Sequence, residues 1–171
     1  MNRPNDVMIV GAGPTGLVLA LLLAARGIKV SVYERWGSHY LLPRAVGLSH
    51  ETLPVLQATG NFDLLMPSVN LELSRRLLPE YRSATGEILF SHPVQSDGFS
   101  FHTPMVLFDP PMLEIALNEA CAKERLVTVH RGWNSKALRE DGTRAYVTFG
   151  PVDGDTPSLT RPRANGTVVA A

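Results

Sequence analysis

The chain has 171 residues, of which 44% are hydrophobic and 19% are charged, so it can bury a core and is not intrinsically disordered. Its 16 basic and 16 acidic residues give a net charge of zero, which provides no general electrostatic footprint for nucleic acid or an anionic membrane. The single cysteine, Cys121, excludes an intrachain disulfide framework and is compatible with a cytoplasmic location.

The N-terminal segment from Val7 to Ala25 has no charged side chain and is long enough to resemble a membrane span. Three glycines and a proline interrupt it, however, and divide it into a short buried strand and a buried helix. The residues before Val7 include an acid, which is unusual at the start of a signal peptide. We therefore predict a soluble α/β chain without a membrane span.

A glycine-rich loop follows the first predicted strand. The segment Gly11-Ala12-Gly13-Pro14-Thr15-Gly16 has the pattern G-x-G-x-x-G and opens a helix. In such loops the first glycine permits a tight turn, the second lets the backbone approach a pyrophosphate, and the third lets the helix pack against the strand. The free N–H groups and the dipole of the helix N-terminus attract phosphate, and Pro14 suits its first turn. The pattern predicts a dinucleotide site.

The next segment completes a βαβ unit over residues 6–35. We predict that the helix runs to about Arg26, that Gly27 terminates it, and that a strand over 29–33 leads to Glu34. A carboxylate at this strand end accepts hydrogen bonds from ribose hydroxyls. Because Glu34 would repel a 2′-phosphate, we expect NAD or FAD rather than NADP in this site. The alternative interpretation is a glycine-rich turn in an unrelated α/β protein.

Beyond residue 35 the pattern is irregular, unlike the regular repeats of a plain dehydrogenase. We predict a loop over 36–48, a short helix over 49–58 with Ser49 as its N-cap and Gly60 beyond its end, extended segments over 71–78 and 81–90, and a strand over 99–102. We then predict a helix from Asp109 to about 124, a strand over 126–130, a hairpin of strands 136–139 and 145–149, an exposed connection over 150–166, and a final strand beginning at Thr167.

Other residues with reactive side chains show no functional pattern. The five histidines lack metal-ligand spacing, and there is no nucleophile elbow, so we predict no metal centre and assign no catalytic residue. Cys121 falls on an apolar helix face and is interpreted as a core residue. Trp133 follows the predicted strand 126–130, and a packing role is favoured over contact with an adenine.

Three stretches of the sequence, in this order, carry a family resemblance. The first is 7–35, which ends in Val-Tyr-Glu-Arg, and the second is Pro43-Arg44-Ala45 with the helix after it. The third is Pro111-Met112-Leu113-Glu114 with the strand and hairpin that extend to 149. Together they resemble the FAD-dependent aromatic-ring hydroxylases, which are single-component flavoprotein monooxygenases related to p-hydroxybenzoate hydroxylase. The resemblance is nearest to the branch of 3-(3-hydroxyphenyl)propionate and polyketide hydroxylases, and it covers nearly the whole chain.

The resemblance implies a Rossmann-like α/β fold that binds FAD, joined to the beginning of a mixed or antiparallel substrate-domain sheet. The implied organisation is a βαβ unit at 6–35, inserted strands of an incomplete substrate domain at about 68–108, and a return to the FAD-binding domain at about 109–171. The implied cofactor contacts are the FAD pyrophosphate at Gly11, Gly13, Pro14, Thr15 and Gly16, the adenosine ribose at Glu34 with Arg35 beside it, and a further contact from Arg44.

The resemblance also implies that the protein is an enzyme. In this family NAD(P)H reduces the FAD, and O₂ supplies the oxygen atom that is transferred to an activated aromatic ring. The substrate would be a small phenolic or polyketide compound, and the oligomeric state is left open. Two alternatives remain: another FAD-dependent oxidoreductase, which would not need Arg44, and a noncatalytic dinucleotide-binding fragment.

Two features depart from the family pattern. Pro110 stands where the family commonly has a glutamine that contacts the flavin, and a proline offers neither an N–H nor a polar side chain. The chain also ends within the strand that precedes the family's Asp-Gly signature, whose aspartate binds the ribityl group. We therefore expect an N-terminal portion of such an enzyme that is not active alone.

Overall fold

The computed structural model describes residues 7–38, 47–49, 51–75, 78–91, 105–142, 144–152 and 165–170. The strands in these ranges are β1 (Val7–Val10), β2 (Val30–Glu34), β3 (Gly47–Ser49), β4 (Val69–Asn70), β5 (Glu80–Arg82), β6 (Ile88–Ser91), β7 (Met105–Phe108), β8 (Val127–Arg131), β9 (Trp133–Glu140), β10 (Ala145–Pro151) and β11 (Asn165–Ala170). The helices are α1 (Pro14–Ala24), α2 (Thr52–Ala58), α3 (Phe62–Leu65), α4 (Leu71–Arg75) and α5 (Pro110–Lys123), with a 3-10 turn at Met66–Ser68. None of these helices has the length and apolar character needed to cross a membrane.

The chain divides into two compact units, Met1–Leu41 with Glu114–Ala171, and Leu42–Leu113. The first unit contains a six-stranded sheet in the order β8-β2-β1-β11-β10-β9. Strands β8, β2, β1 and β11 are parallel, whereas β10 runs antiparallel to both β11 and β9. A parallel sheet in which the chain moves outward from β1 to β2 and then to β8 has the order of a dinucleotide-binding fold, so the predicted α/β fold class is confirmed.

The apolar N-terminal segment folds as a buried βαβ unit because its strands lie in the centre of the sheet. Met8 and Ile9 of β1 are fully buried, as expected of a central parallel strand. Helix α1 ends at Ala24, earlier than predicted, and Gly27 with a φ of 78° reverses the chain toward β2. The buried side of α1 consists of Gly16, Leu17, Ala20, Leu21 and Ala24.

An aromatic cluster joins the antiparallel hairpin to the parallel strands. The ring of Tyr33 stacks on Phe149 with 4.0 Å between centroids, and on its other neighbour His130 with 4.7 Å. Trp133 is buried in the same cluster, which also contains Met8 and Val147. The packing role predicted for Trp133 is therefore confirmed.

The second unit combines short helices with two small sheets. Strands β3, β7 and β4 form one sheet, and β5 pairs with β6 as a hairpin whose turn contains Gly86 at a φ of 88°. Ser74 is fully buried, and its Oγ accepts the Leu107 N–H at 2.7 Å, which ties α4 to β7. Helix α5 begins where predicted, and Asp109 caps it, because its Oδ1 accepts the Met112 N–H at 2.9 Å.

Two sequence predictions in this unit are wrong. Ser49 does not cap a helix but ends β3, and α2 begins only at Thr52, so Pro54 lies in the first turn, where its missing N–H is tolerated. Residues 71–75 form α4 rather than an extended segment, because Asn70 Oδ1 accepts the Leu73 N–H at 2.9 Å and starts the helix. The strand predicted at 99–102 lies outside the described residues.

Cys121 is buried between two helices of the first unit. It is 1% exposed, and its Sγ lies 3.7 Å from the Leu17 carbonyl oxygen of α1. Burial, together with the nearby Glu124 carboxylate, raises the pKa of the Cys121 thiol to about 12. Because the thiolate is the reactive form, we expect no reaction with Ellman's reagent in native protein and complete reaction after unfolding in guanidinium chloride. Rapid labelling of native protein would contradict this burial.

Candidate functional site

The glycine-rich loop connects β1 to α1 and is held by backbone hydrogen bonds. Gly11 has a φ of 111°, a conformation that strains any side chain, and its N–H donates to the Tyr33 carbonyl at 2.8 Å. This bond fixes the loop against the carboxyl end of β2. The first helical hydrogen bond of α1 then runs from the Leu17 N–H to the Gly13 carbonyl at 3.0 Å.

The space in front of Gly13 fits the approach of a phosphate group. A Cβ atom placed on Gly13 would meet no atom within 4 Å, and its φ of −75° is open to any residue. Neither packing nor backbone strain therefore requires a glycine here, and the absence of a side chain leaves room for a ligand to approach the backbone.

The start of α1 offers backbone donors to that phosphate. Pro14 and Thr15 are exposed in the first turn, and Gly16 is buried beneath them. Among the described residues no side chain caps α1, so its first N–H groups are available to an anion. The loop and the helix start together fit the pyrophosphate of a dinucleotide.

Glu34 links this loop to the turn that follows β2. Its Oε2 accepts the Ala12 N–H at 2.9 Å, and its Oε1 accepts the Trp36 N–H at 2.9 Å. Each carboxylate oxygen has a further lone pair, so the group can also accept hydrogen bonds from ribose hydroxyls. The structure thus places Glu34 directly beside the glycine loop.

The remaining predicted site residues follow Glu34 along the chain. Arg35 is exposed, and its guanidinium carbon lies 4.8 Å from the ring centroid of Trp36. Arg44 lies outside the described residues. Sequence reasoning did not single out Trp36, although its position two residues after Glu34 was available as a signal.

Arg131 is a second residue that sequence reasoning did not single out. It pairs with Glu34 in the register of β2 and β8, which puts it at the same edge of the sheet. Its Nη2 donates to Asn118 Oδ1 at 2.9 Å, and its Nη1 donates to the Ser38 carbonyl at 3.5 Å. Arg131 therefore helps to fix the turn after β2. Within the described ranges no cluster of His, Cys, Asp and Glu is arranged to hold a metal ion.

His130 predicts a pH dependence of stability. Burial lowers the pKa of His130 from its ordinary value of 6.5, and its ring is stacked on Tyr33. The pKa of His130 is thus lower in the folded chain than in the unfolded chain, and between these two pKa values the unfolded chain binds more protons. The contribution of His130 to the free energy of unfolding is therefore fully present above about pH 6.5 and is lost as the pH falls toward the pKa of the folded state. We expect His130→Phe, which keeps a stacked ring, to flatten this dependence in denaturant unfolding measured from neutral to mildly acidic pH. An identical slope in both proteins would contradict it.

The fold and this loop define a dinucleotide-binding domain, and comparison with known proteins identifies the family. Residues 5–155 match the family model described as FAD binding domain. The chain therefore belongs to the FAD binding domain family, and FAD is the cofactor of the family, as the sequence predicted.

Individual relatives are named as hydroxylases of aromatic compounds. The chain is 30% identical over 150 residues, 87% of its length, to the probable NADH-specific resorcinol 4-hydroxylase of Rhodococcus jostii. It is also 30% identical over 163 residues, 90% of its length, to the 3-(3-hydroxy-phenyl)propionate/3-hydroxycinnamic acid hydroxylase of Mycolicibacterium smegmatis. These matches cover 28% and 27% of the two relatives, so the chain spans about a quarter of their length. The predicted resemblance is confirmed.

A solved structure shows the same fold over almost the whole chain. The flavin-dependent monooxygenase PieE, crystallised in complex with FAD and substrate, superimposes with a TM-score of 0.77 at 18% identity. The match covers 98% of this chain and 30% of PieE. At this identity the likeness establishes the fold alone.

Proposed function

We propose that this chain is the FAD-binding part of a flavin-dependent monooxygenase that hydroxylates a small aromatic substrate, either phenolic or polyketide. The observation that carries the proposal is the extent of the similarity to the resorcinol hydroxylase, which covers 87% of the chain. Many flavoproteins share the βαβ unit, whereas this match extends through the Leu42–Leu113 unit as well.

The chain's own residues would hold the ADP half of FAD. The backbone of Gly11 and Gly13 and the helix start at Pro14, Thr15 and Gly16 would bind the pyrophosphate through N–H donors. Glu34 would accept hydrogen bonds from the ribose hydroxyls, with Arg35 beside it. When bound, the FAD supplies the redox chemistry, and the protein supplies position and electrostatics.

Arg44 is proposed as a further cofactor contact because a guanidinium suits phosphate recognition. Pro110 begins α5 and has no N–H to offer, so a flavin contact at this position would need its carbonyl or a neighbouring residue. The proposed domain arrangement is a βαβ unit at 6–35, the beginning of a substrate domain at about 68–108, and a return to the FAD-binding domain at about 109–171.

NAD(P)H and O₂ are the proposed co-substrates, in keeping with the name of the NADH-specific relative. A cytoplasmic location is supported by the buried free thiol of Cys121, which needs no oxidising compartment. The net charge of zero supports a small-molecule substrate rather than a nucleic acid.

The test is to purify the full-length protein that contains this chain and to measure bound FAD, NAD(P)H oxidation and product. We expect a yellow protein whose NAD(P)H oxidation is stimulated by phenolic compounds and yields a hydroxylated ring. Bound FAD without substrate-stimulated oxygen consumption would instead indicate another class of flavoprotein. A colourless full-length protein would contradict the proposal entirely.

The isolated 171-residue chain is titrated separately with FAD, following the flavin fluorescence. Tight binding would show that this part of the protein carries a sufficient cofactor site. If the full-length protein binds FAD and the isolated chain does not, the chain is a fragment that needs further residues for affinity.

A further inference from the structure

The half-exposed indole of Trp36 lies at the edge of the nucleotide site. Trp36 is 52% exposed, whereas the second tryptophan of the chain, Trp133, is 7% exposed inside the core. Tryptophan has the largest aromatic surface of any side chain and is favoured at interfaces with ligands. Binding of a ligand would therefore explain why this indole is exposed next to a predicted ligand site.

Contacts on both sides of Trp36 hold it in place. Its backbone N–H donates to Glu34 Oε1 at 2.9 Å, and two residues later the Ser38 carbonyl accepts a hydrogen bond from Arg131 Nη1 at 3.5 Å. The guanidinium of Arg35 lies 4.8 Å from the centroid of the indole and covers one of its faces. The backbone of Trp36 is thus anchored at the site, and one face of its indole is covered, before any ligand arrives.

The position of Glu34 determines which part of a dinucleotide Trp36 can reach. Adenine is bonded directly to the ribose whose hydroxyls Glu34 would bind, so the base must lie within about one sugar's width of this carboxylate. Trp36 touches the same carboxylate through its N–H. The flavin ring lies beyond the pyrophosphate, at the other end of the dinucleotide, so adenine is the aromatic group within reach.

We propose that Trp36 is a stacking platform for the adenine of the bound dinucleotide. The indole face turned away from Arg35 receives the base, and the guanidinium on the opposite face strengthens the stack electrostatically. This assignment rests on the proposed FAD site. It adds a base contact to a site whose other contacts are to phosphate and ribose.

Calorimetric titration with ADP and with inorganic pyrophosphate separates a base contact from a phosphate contact. Trp36→Ala is expected to weaken ADP binding by about tenfold, in line with the effect of removing one stacked aromatic ring, and to leave pyrophosphate binding unchanged. Trp36→Phe is expected to keep most of the ADP affinity. Tyr81→Ala removes an aromatic ring that is 63% exposed in the other compact unit, and it should change neither affinity.

Tryptophan fluorescence gives a second readout. ADP should quench the emission of the 171-residue chain and of its Trp133→Phe variant, in which Trp36 is the remaining tryptophan of these 171 residues, and it should not quench the Trp36→Phe variant of the same chain. Any one of three results would overturn the stacking role of Trp36 while leaving the FAD site in place. These results are unchanged ADP affinity in Trp36→Ala, an equal loss of ADP affinity in Tyr81→Ala, and quenching that persists in Trp36→Phe. A wild-type protein that binds neither ADP nor pyrophosphate would overturn the FAD site as well.

Discussion

Gly13→Ala is expected to weaken the binding of FAD and ADP by roughly 100-fold, about 2.7 kcal/mol, with little change in the stability of the protein. The added methyl group meets no protein atom within 4 Å, and the backbone at Gly13 is in a region open to alanine. The same methyl group would occupy the space that a pyrophosphate needs. Stability should change by less than about 1 kcal/mol, because alanine restricts the unfolded chain but is a poorer N-cap residue for α1 than glycine.

Two further glycine variants make this prediction specific. Gly37→Ala is a matched control, since it also adds a methyl group in open space at a φ outside the positive range. It should retain stability and pyrophosphate binding. Gly11→Ala should lose both stability and ligand binding, because Gly11 has a φ of 111°. Binding by calorimetry and unfolding in urea distinguish the three cases, and full ligand affinity in Gly13→Ala would contradict the assigned role.

Glu34→Ala is expected to reduce both the stability of the protein and its affinity for ADP. The carboxylate accepts N–H groups from Ala12 and Trp36, and Ala12 is only 1% exposed. Removing the acceptor leaves the Ala12 N–H buried without its partner, which costs about 1–3 kcal/mol. ADP should bind more weakly by roughly tenfold or more, since the ribose loses its acceptor.

Glu34→Gln tests the charge separately from the shape. It removes the negative charge that would repel a 2′-phosphate, so we expect the preference for ADP over 2′-phospho-ADP to become smaller. Glu119→Gln is the control, because Glu119 forms an exposed ion pair with Lys123 that contributes little to stability. Calorimetry with both nucleotides measures the preference, and a preference as large as in the wild type would show that Glu34 does not face the ribose.

The sequence predicts correctly those elements in which local conformational preference and packing in the folded protein favour the same structure. In β1, α1 and β2, the strand periodicity, the glycine loop and the terminating Gly27 all favour the same structure. The start of α5 at Asp109 is a local signal of the same kind. The placement of Glu34 beside the loop followed from the same βαβ pattern.

The errors occur where short elements depend on tertiary partners. Ser49 is a good N-cap residue, yet its backbone pairs with Met105 in the sheet, and this pairing determines its conformation. Residues 71–75 alternate in hydrophobicity as a strand does, but the Asn70 cap and the buried Ser74 favour a helix. Trp36 was missed because its half-exposed state is visible only in the structure, although its position two residues after Glu34 could be read from the sequence.

The pairing of β1 with β11 has a consequence for folding during synthesis. Met8 lies opposite Val168 in the parallel register, so the N-terminal strand has one of its two neighbours near the other end of the sequence. At a translation rate of about 5–20 residues per second, β11 follows β1 by roughly 8 to 30 seconds. During that interval one edge of β1 remains unpaired, and the nascent βαβ unit presents an apolar strand edge that other chains could join. The glycine-rich loop at the end of β1 is therefore synthesised long before the strand that pairs beside β1.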